Sequence, residues 1–114
     1  MNAKQFQRYL VRDGGCVHCG EQEAVAPHHR LNRGMGGSKT RDVPSNIVVM
    51  CSSMNFLMEA STRWADEGRL NGWKLRNGEK PEDTALWHYA RGWIIIDDGF
   101  KWKPAQQGGM LDGF

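Results

Sequence analysis

The residues best suited to chemistry fall in three short stretches of the chain. They are Cys16-Val17-His18-Cys19-Gly20, then Ala26-Pro27-His28-His29-Arg30, then Ser45-Asn46 leading through Ile47-Val48-Val49-Met50-Cys51 to Ser52-Ser53-Met54-Asn55. Thiols and imidazoles at close spacing are soft metal donors. A neutral imidazole with an ordinary pKa of about 6.5 is suited to taking a proton from water near neutral pH. Taken singly, CxxC is commonplace and a His pair is more often a surface accident. Adjacent strand residues face opposite ways, however, so His28 and His29 cannot both be satisfied core histidines. The order and spacing of the three stretches carry the signal.

The elements around them must do the positioning. Residues 3–12 place Phe6 and Leu10 on one face before Gly14-Gly15, which predicts a short amphipathic helix with a glycine stop. Residues 22–31 read as a short extended segment, with Ala26 held extended by Pro27. Residues 32–45 form a loop rich in glycine (Gly34, Gly36, Gly37) and basic residues, with no periodicity. The run 47–51 is β-branched and apolar, a buried strand. Ser52 or Ser53 is expected to cap a helix carrying Met54, Leu57, Met58, Ser61, Trp64 and Ala65, ending near Gly68. Residues 71–83 are a polar connector. Residues 85–89 and 93–97 read as paired strands, and Asp98-Gly99 turns into Phe100-Lys101-Trp102. The tryptophans are assigned mainly to core and hairpin packing, and His88 to a structural role.

The length of 114 residues suits one domain with a modest core. With 39% hydrophobic and 25% charged residues, the composition is ordinary for a globular protein and excludes a low-complexity or disordered chain. No run approaches the roughly 18–20 apolar residues needed to span a bilayer. The polar start and the odd number of cysteines, 3, argue against a secreted disulfide framework, so an intracellular protein is expected. A net charge of +2 says little by itself. The clustering of Arg30, Arg33, Lys39 and Arg41, with Asp42 as the only acid at its end, points to phosphate contacts.

In order and spacing, CVHCG, APHHR and SNIVVMCSSMN resemble small phage-type HNH endonucleases of the ββα-metal (His-Me finger) kind. The likeness runs from about Arg12 to Glu59. It implies one α+β domain over residues 1–114: a ββα-metal core at about 12–68, an N-terminal helix, a C-terminal Trp-rich β-hairpin at about 84–103 and a loose tail at 104–114. It implies catalytic roles for His28, His29, Asn46 and Asn55. His28 takes the place of the first metal ligand and Asn55 that of the second, where the family usually has His. His29 takes the place of the general base, and Asn46 that of the Asn tying loop to strand. The implied function is metal-dependent hydrolysis of DNA phosphodiester bonds, in host cytoplasm. The rival is a DNA-binding or phage packaging accessory, with a terminase-type partner, whose catalysis has decayed.

The resemblance also implies a structural zinc, for which Cys16, Cys19 and Cys51 remain. Met54 stands where the fourth cysteine would be, and a thioether is a poor zinc ligand. His18 is expected to turn away inside the knuckle, so a metal site and a metal-free sulfur cluster both stay open. At the active site, His28 and Asn55 offer no carboxylate, whereas Mg²⁺ prefers hard oxygen donors. Cleavage of supercoiled plasmid is therefore expected to be faster with Mn²⁺, Co²⁺ or Ni²⁺ than with Mg²⁺. A side-by-side titration of the four ions checks this, and strict Mg²⁺ dependence would refute it.

Overall fold

The computed structural model describes residues 1–32 and 41–106. Arg33, Lys39, the glycines at 34, 36 and 37, and most of the expected tail lie outside the described residues.

Helix α1 spans Ala3–Asp13. A capping box starts it: the Gln5 amide donates to Asn2 Oδ1 at 2.8 Å, and the Asn2 amide donates to Gln5 Oε1 at 2.9 Å. Gly14, at φ 76°, ends it in the left-handed conformation that glycine adopts without cost. Strands β1 (Val25–His29) and β2 (Ile47–Cys51) pair antiparallel, with His28 opposite Val48 and His29 opposite Ile47. The apolar run of β2 is continuous because both faces of this ribbon are covered. Val48 and Met50 pack with Cys16, Val17, Met54, Met58 and Trp73. Ile47 and Val49 pack with Tyr9, Phe6, Leu10 and Phe100 on the α1 side.

Helix α2 (Ser52–Ala60) follows β2 directly, and α3 (Thr62–Leu70) follows α2. The sequence predicts one helix here. Instead Ser61 is extended (φ −135°, ψ 128°), ending α2 and capping α3 through a 3.5 Å bond from the Trp64 amide. Serine competes for backbone hydrogen bonds, which favours a cap over a helix interior. The cap of α2 is also different. The Cys51 sulfur, not Ser52 or Ser53, accepts from the Met54 amide. Gly68 lies within α3 and is there for contact, since a Cβ at that position would sit 2.6 Å from Met58 Sδ.

The C-terminal part is a three-stranded antiparallel sheet of β3 (Leu86–His88), β4 (Gly92–Ile96) and β5 (Trp102–Pro104), in that order. The expected hairpin thus gains a third strand, and Pro104 belongs to it rather than to a tail. Leu86, Ile94 and Ile96 join the core. Among the tryptophans, Trp73 is buried, while Trp87 and Trp102 stay substantially exposed. The α+β class stands. No described helix is long and apolar enough to cross a membrane.

Two polar fasteners hold these parts together. Arg12 makes a bidentate pair with Asp13 at 2.7 and 3.0 Å and donates to the carbonyls of Pro44 and Ile47. His88, buried, donates from Nε2 to the Asp13 carbonyl at 2.7 Å, while its Nδ1 accepts from the amides of Ala90 and Arg91. Burial lowers the His88 pKa, with the Arg91 and Arg12 charges acting in the same sense and the Asp13 contacts opposing. The ring is stacked on Tyr89.

An unfolded His88 binds a proton below about pH 6.5, before the folded one does. Its contribution to stability is therefore present above that pH and is lost progressively as pH falls from there through the lowered folded value. Urea unfolding at about pH 7.5 and about pH 5.5 is expected to show lower stability at the acid value. The His88→Gln variant, with a non-titrating side chain, should show a smaller acid loss. An equal acid loss in both proteins would refute this role for His88.

Candidate active site and metal-binding cluster

Two separate constellations emerge around the ribbon. The first joins β1 to α2. His28 Nδ1 lies 3.0 Å from Asn55 Oδ1, and its Nε2 lies 2.8 Å from the Trp73 carbonyl oxygen. A carbonyl only accepts, so Nε2 carries the proton and the Nδ1 lone pair faces Asn55. Metal-ligating histidines are commonly fixed in this way by a carbonyl on the other ring nitrogen. Two ligands at right angles, each about 2.1 Å from an ion, would lie about 3.0 Å apart, the observed separation. The donor pair fits a divalent cation. Burial lowers the His28 pKa, opposed by its bonds to Trp73 and Asn55. That keeps the ring neutral and available as a ligand. Glu59, one turn beyond Asn55 on α2, is paired with Lys74 at 3.4 Å.

The second constellation faces the other way. His29 Nε2 lies 2.7 Å from Asp42 Oδ1, with the two side chains 25% and 38% exposed. A carboxylate accepts, so the proton sits on Nε2 and Nδ1 is left as the basic atom. The pair lines a cleft of about 520 Å³ with Arg8, Tyr9, Pro27, Pro44, Ile47 and Phe100 among the other walls. Paired residues share a ribbon face, so His28 with Val48 and His29 with Ile47 look out on opposite sides. The structure brings His28 to Asn55, and it does not bring His29 to them.

Asn46 is fully buried and staples the loop between β1 and β2. Its Oδ1 accepts from the Leu31 amide, and its Nδ2 donates to the carbonyls of Leu31 and Arg41. Holding Arg41 fixes the neighbour of Asp42, and through it the partner of His29. Asp42 is the residue that the motif reading passed over. It lies 13 positions from His29, and no spacing rule links the two.

The expected phosphate contacts divide. Arg30 is corrected: it is completely buried, and its guanidinium donates to the carbonyls of Gly72, Ser45, Pro81 and Thr84. Four of its five N–H donors are spent on these carbonyls, and no part of the side chain is exposed to a phosphate. Arg41 reaches the Asn32 carbonyl and Asn77 Oδ1 at the surface.

Beside α2 lies a separate soft donor set. The ligand atoms of Cys16, His18, Cys19 and Cys51 all lie within 4.8 Å of one another. His18 is therefore corrected: its ring turns in, and it stands edge-on to Trp73 at 5.3 Å. Met54 is not the fourth member of this set and packs in the core. A tetrahedral ion with sulfur ligands at about 2.3 Å spaces its ligand atoms about 3.8 Å apart, so the set closes on a metal with small shifts. Burial pushes the Cys16 thiol up to about 12, opposed by the backbone of Cys51, Cys19 and His18, and the His18 amide donates to its sulfur at 3.3 Å. Backbone N–H donors are the environment a metal thiolate uses. The four residues could hold a metal ion.

Comparison with protein-family models, with curated proteins and with solved structures found no match to this chain.

The protein expressed in metal-replete medium is expected to retain about one equivalent of transition metal per chain. Chelation should lower its melting temperature, and replacement by cobalt(II) should give a thiolate charge-transfer band. Cys19→Ser and His18→Ala should each weaken retention. Metal analysis that finds none bound, with unchanged melting under chelator, would refute the site.

Proposed function

We propose that this protein is a metal-dependent endonuclease of the HNH, ββα-metal type that hydrolyses phosphodiester bonds in DNA. The observation that carries the reading is the convergence of His28 and Asn55. They lie 27 residues apart, on a strand and on the helix that follows its partner strand, with donor atoms 3.0 Å apart and the His28 tautomer set for coordination. A divalent ion bound there (Mg²⁺, Mn²⁺, Co²⁺ or Ni²⁺) would supply charge stabilisation at the phosphate. His29 takes the proton of the attacking water on Nδ1, and Asp42 holds the ring and stabilises the imidazolium that forms. Because the two histidines face opposite sides, the reading requires the phosphodiester to cross the C-terminal end of β1. The Cys16, His18, Cys19 and Cys51 set is read as a structural zinc. Sites of this kind contribute about 10–16 kcal/mol to the folding of small domains.

A second reading is a DNA-binding or phage packaging accessory, acting with a terminase-type partner, that cleaves nothing. It is favoured by one observation: His28 is buried, with Nε2 held by the Trp73 carbonyl, on the face away from His29.

Incubation with supercoiled plasmid and each divalent ion, against an EDTA control, separates the two. Nicking by the wild-type protein is expected to fall by about 10²–10⁴-fold in His29→Ala, with DNA binding retained. A wild-type protein inert with every ion would overturn the nuclease reading in favour of the accessory.

A further inference from the structure

The cleft beside His29 has a cation on its wall whose hydrogen-bonding capacity is unspent. Arg8 is exposed on α1, and its guanidinium carbon lies 4.0 Å from the centre of the Phe100 ring. Among the described residues it makes no ion pair, and its side chain donates no hydrogen bond. Lying over an aromatic face holds a guanidinium by cation–π attraction and leaves its donors free at the edge. Those donors match the oxygens of a phosphate.

Phe100 is itself held in a costly way. It is a non-glycine residue at φ 62°, in the left-handed region that a bulky side chain avoids. Its ring packs against Tyr9 at 4.9 Å, and the preceding turn is fixed by Asp97 Oδ1, which accepts from the amides of Gly99 and Lys101. Backbone strain kept in place by surrounding contacts is characteristic of ligand sites. Here it presents the ring on which Arg8 lies.

The charge around the cleft favours an anion. Helix α1 carries Lys4, Arg8 and Arg12, and its one acid, Asp13, is buried in its pair with Arg12. Lys4 and Arg8 lie one turn apart and share the wall of a second groove, which meets the cleft at Phe100. The remaining acid in the cleft, Asp42, is engaged with His29.

We propose that this cleft seats a phosphodiester group of the DNA backbone, gripped by the Arg8 guanidinium on its Phe100 platform and placed beside His29. The inference rests on the reading of His29 as the general base. It adds a phosphate-binding residue from outside the three motif stretches, on the helix that precedes them.

The test is fluorescence anisotropy of a short fluorescein-labelled DNA duplex, titrated in EDTA over a range of salt concentrations. Arg8→Ala is expected to weaken binding about tenfold and to reduce the log–log salt slope by about one, the signature of a lost phosphate contact. Phe100→Leu, which keeps the charge and removes the aromatic platform, should weaken binding with the slope retained. Arg63→Ala, outside the cleft, should leave both close to wild type. Arg8 is exposed, and unchanged melting curves will confirm that its variant is folded. Unchanged affinity and slope in Arg8→Ala would overturn the proposal, as would an equal loss in Arg63→Ala. Plasmid assays separate this proposal from the reading beneath it. Weakened binding in Arg8→Ala with a wild type inert in every metal supports the phosphate seat and sinks the nuclease. Equal cleavage and equal binding by wild type and Arg8→Ala would sink the seat alone.

Discussion

Arg30 is wholly buried, and its guanidinium donates to four main-chain carbonyls, drawn from the turn before β2 and from both ends of the connector between α3 and β3. Hydrogen bonds from a charged group contribute about 1.5–3 kcal/mol each, and removing the charge would leave buried carbonyl oxygens without partners. Burial lowers its pKa to about 9, so the cation persists at neutral pH without an ion pair among the described residues. The Arg30 carbonyl also accepts from the Leu75 amide at 2.8 Å. Gly72 and Leu75 are thus both held, and between them lies Trp73, whose carbonyl fixes the His28 tautomer. The residue after the His pair therefore shapes the site through the connector that it gathers around itself.

The ribbon sets the other constraint. Two antiparallel strands with both faces covered give each histidine its own neighbourhood: one against α2 in the core, the other against α1 in an open cleft. The first is dry and its ring neutral, which suits a ligand. The second is partly wet and paired with a carboxylate, which suits proton transfer. The alternation of a strand has thus separated two identical side chains into different chemistries, at the cost of placing them on opposite sides of one backbone.

Much of the frame was legible because it is written locally. The β-branched run at 47–51 and the apolar spacing of α1 with its glycine stop identify their elements within one or two residues. The meeting of His28 with Asn55 was implied by the family resemblance, since neither stretch alone points to the other. What escaped depends on distant partners. Arg30 sits in a basic stretch and reads as surface, and only carbonyls far along the chain make its burial tolerable. His18 reads as turned away, yet its ring stands edge-on to Trp73, more than fifty positions along the chain. Asp42 reads as the end of a loop, because its role depends on Asn46 stapling that loop shut. The break at Ser61 is a local competition that periodicity alone does not register.

Cys51 occupies an unusual crossroads. Its sulfur belongs to the soft donor set and also accepts the Met54 amide in the first turn of α2. Asn55 lies four residues further on, about one turn along the same helix. The helix that presents the amide to His28 is thus indexed from the sulfur cluster, as a ruler is read from its zero mark. Oxidation or alkylation of that thiol would loosen the first turn of α2 and displace the amide without any reagent reaching it. Two sites that share no ligand share an origin, and chemistry done at the knuckle is felt a turn away.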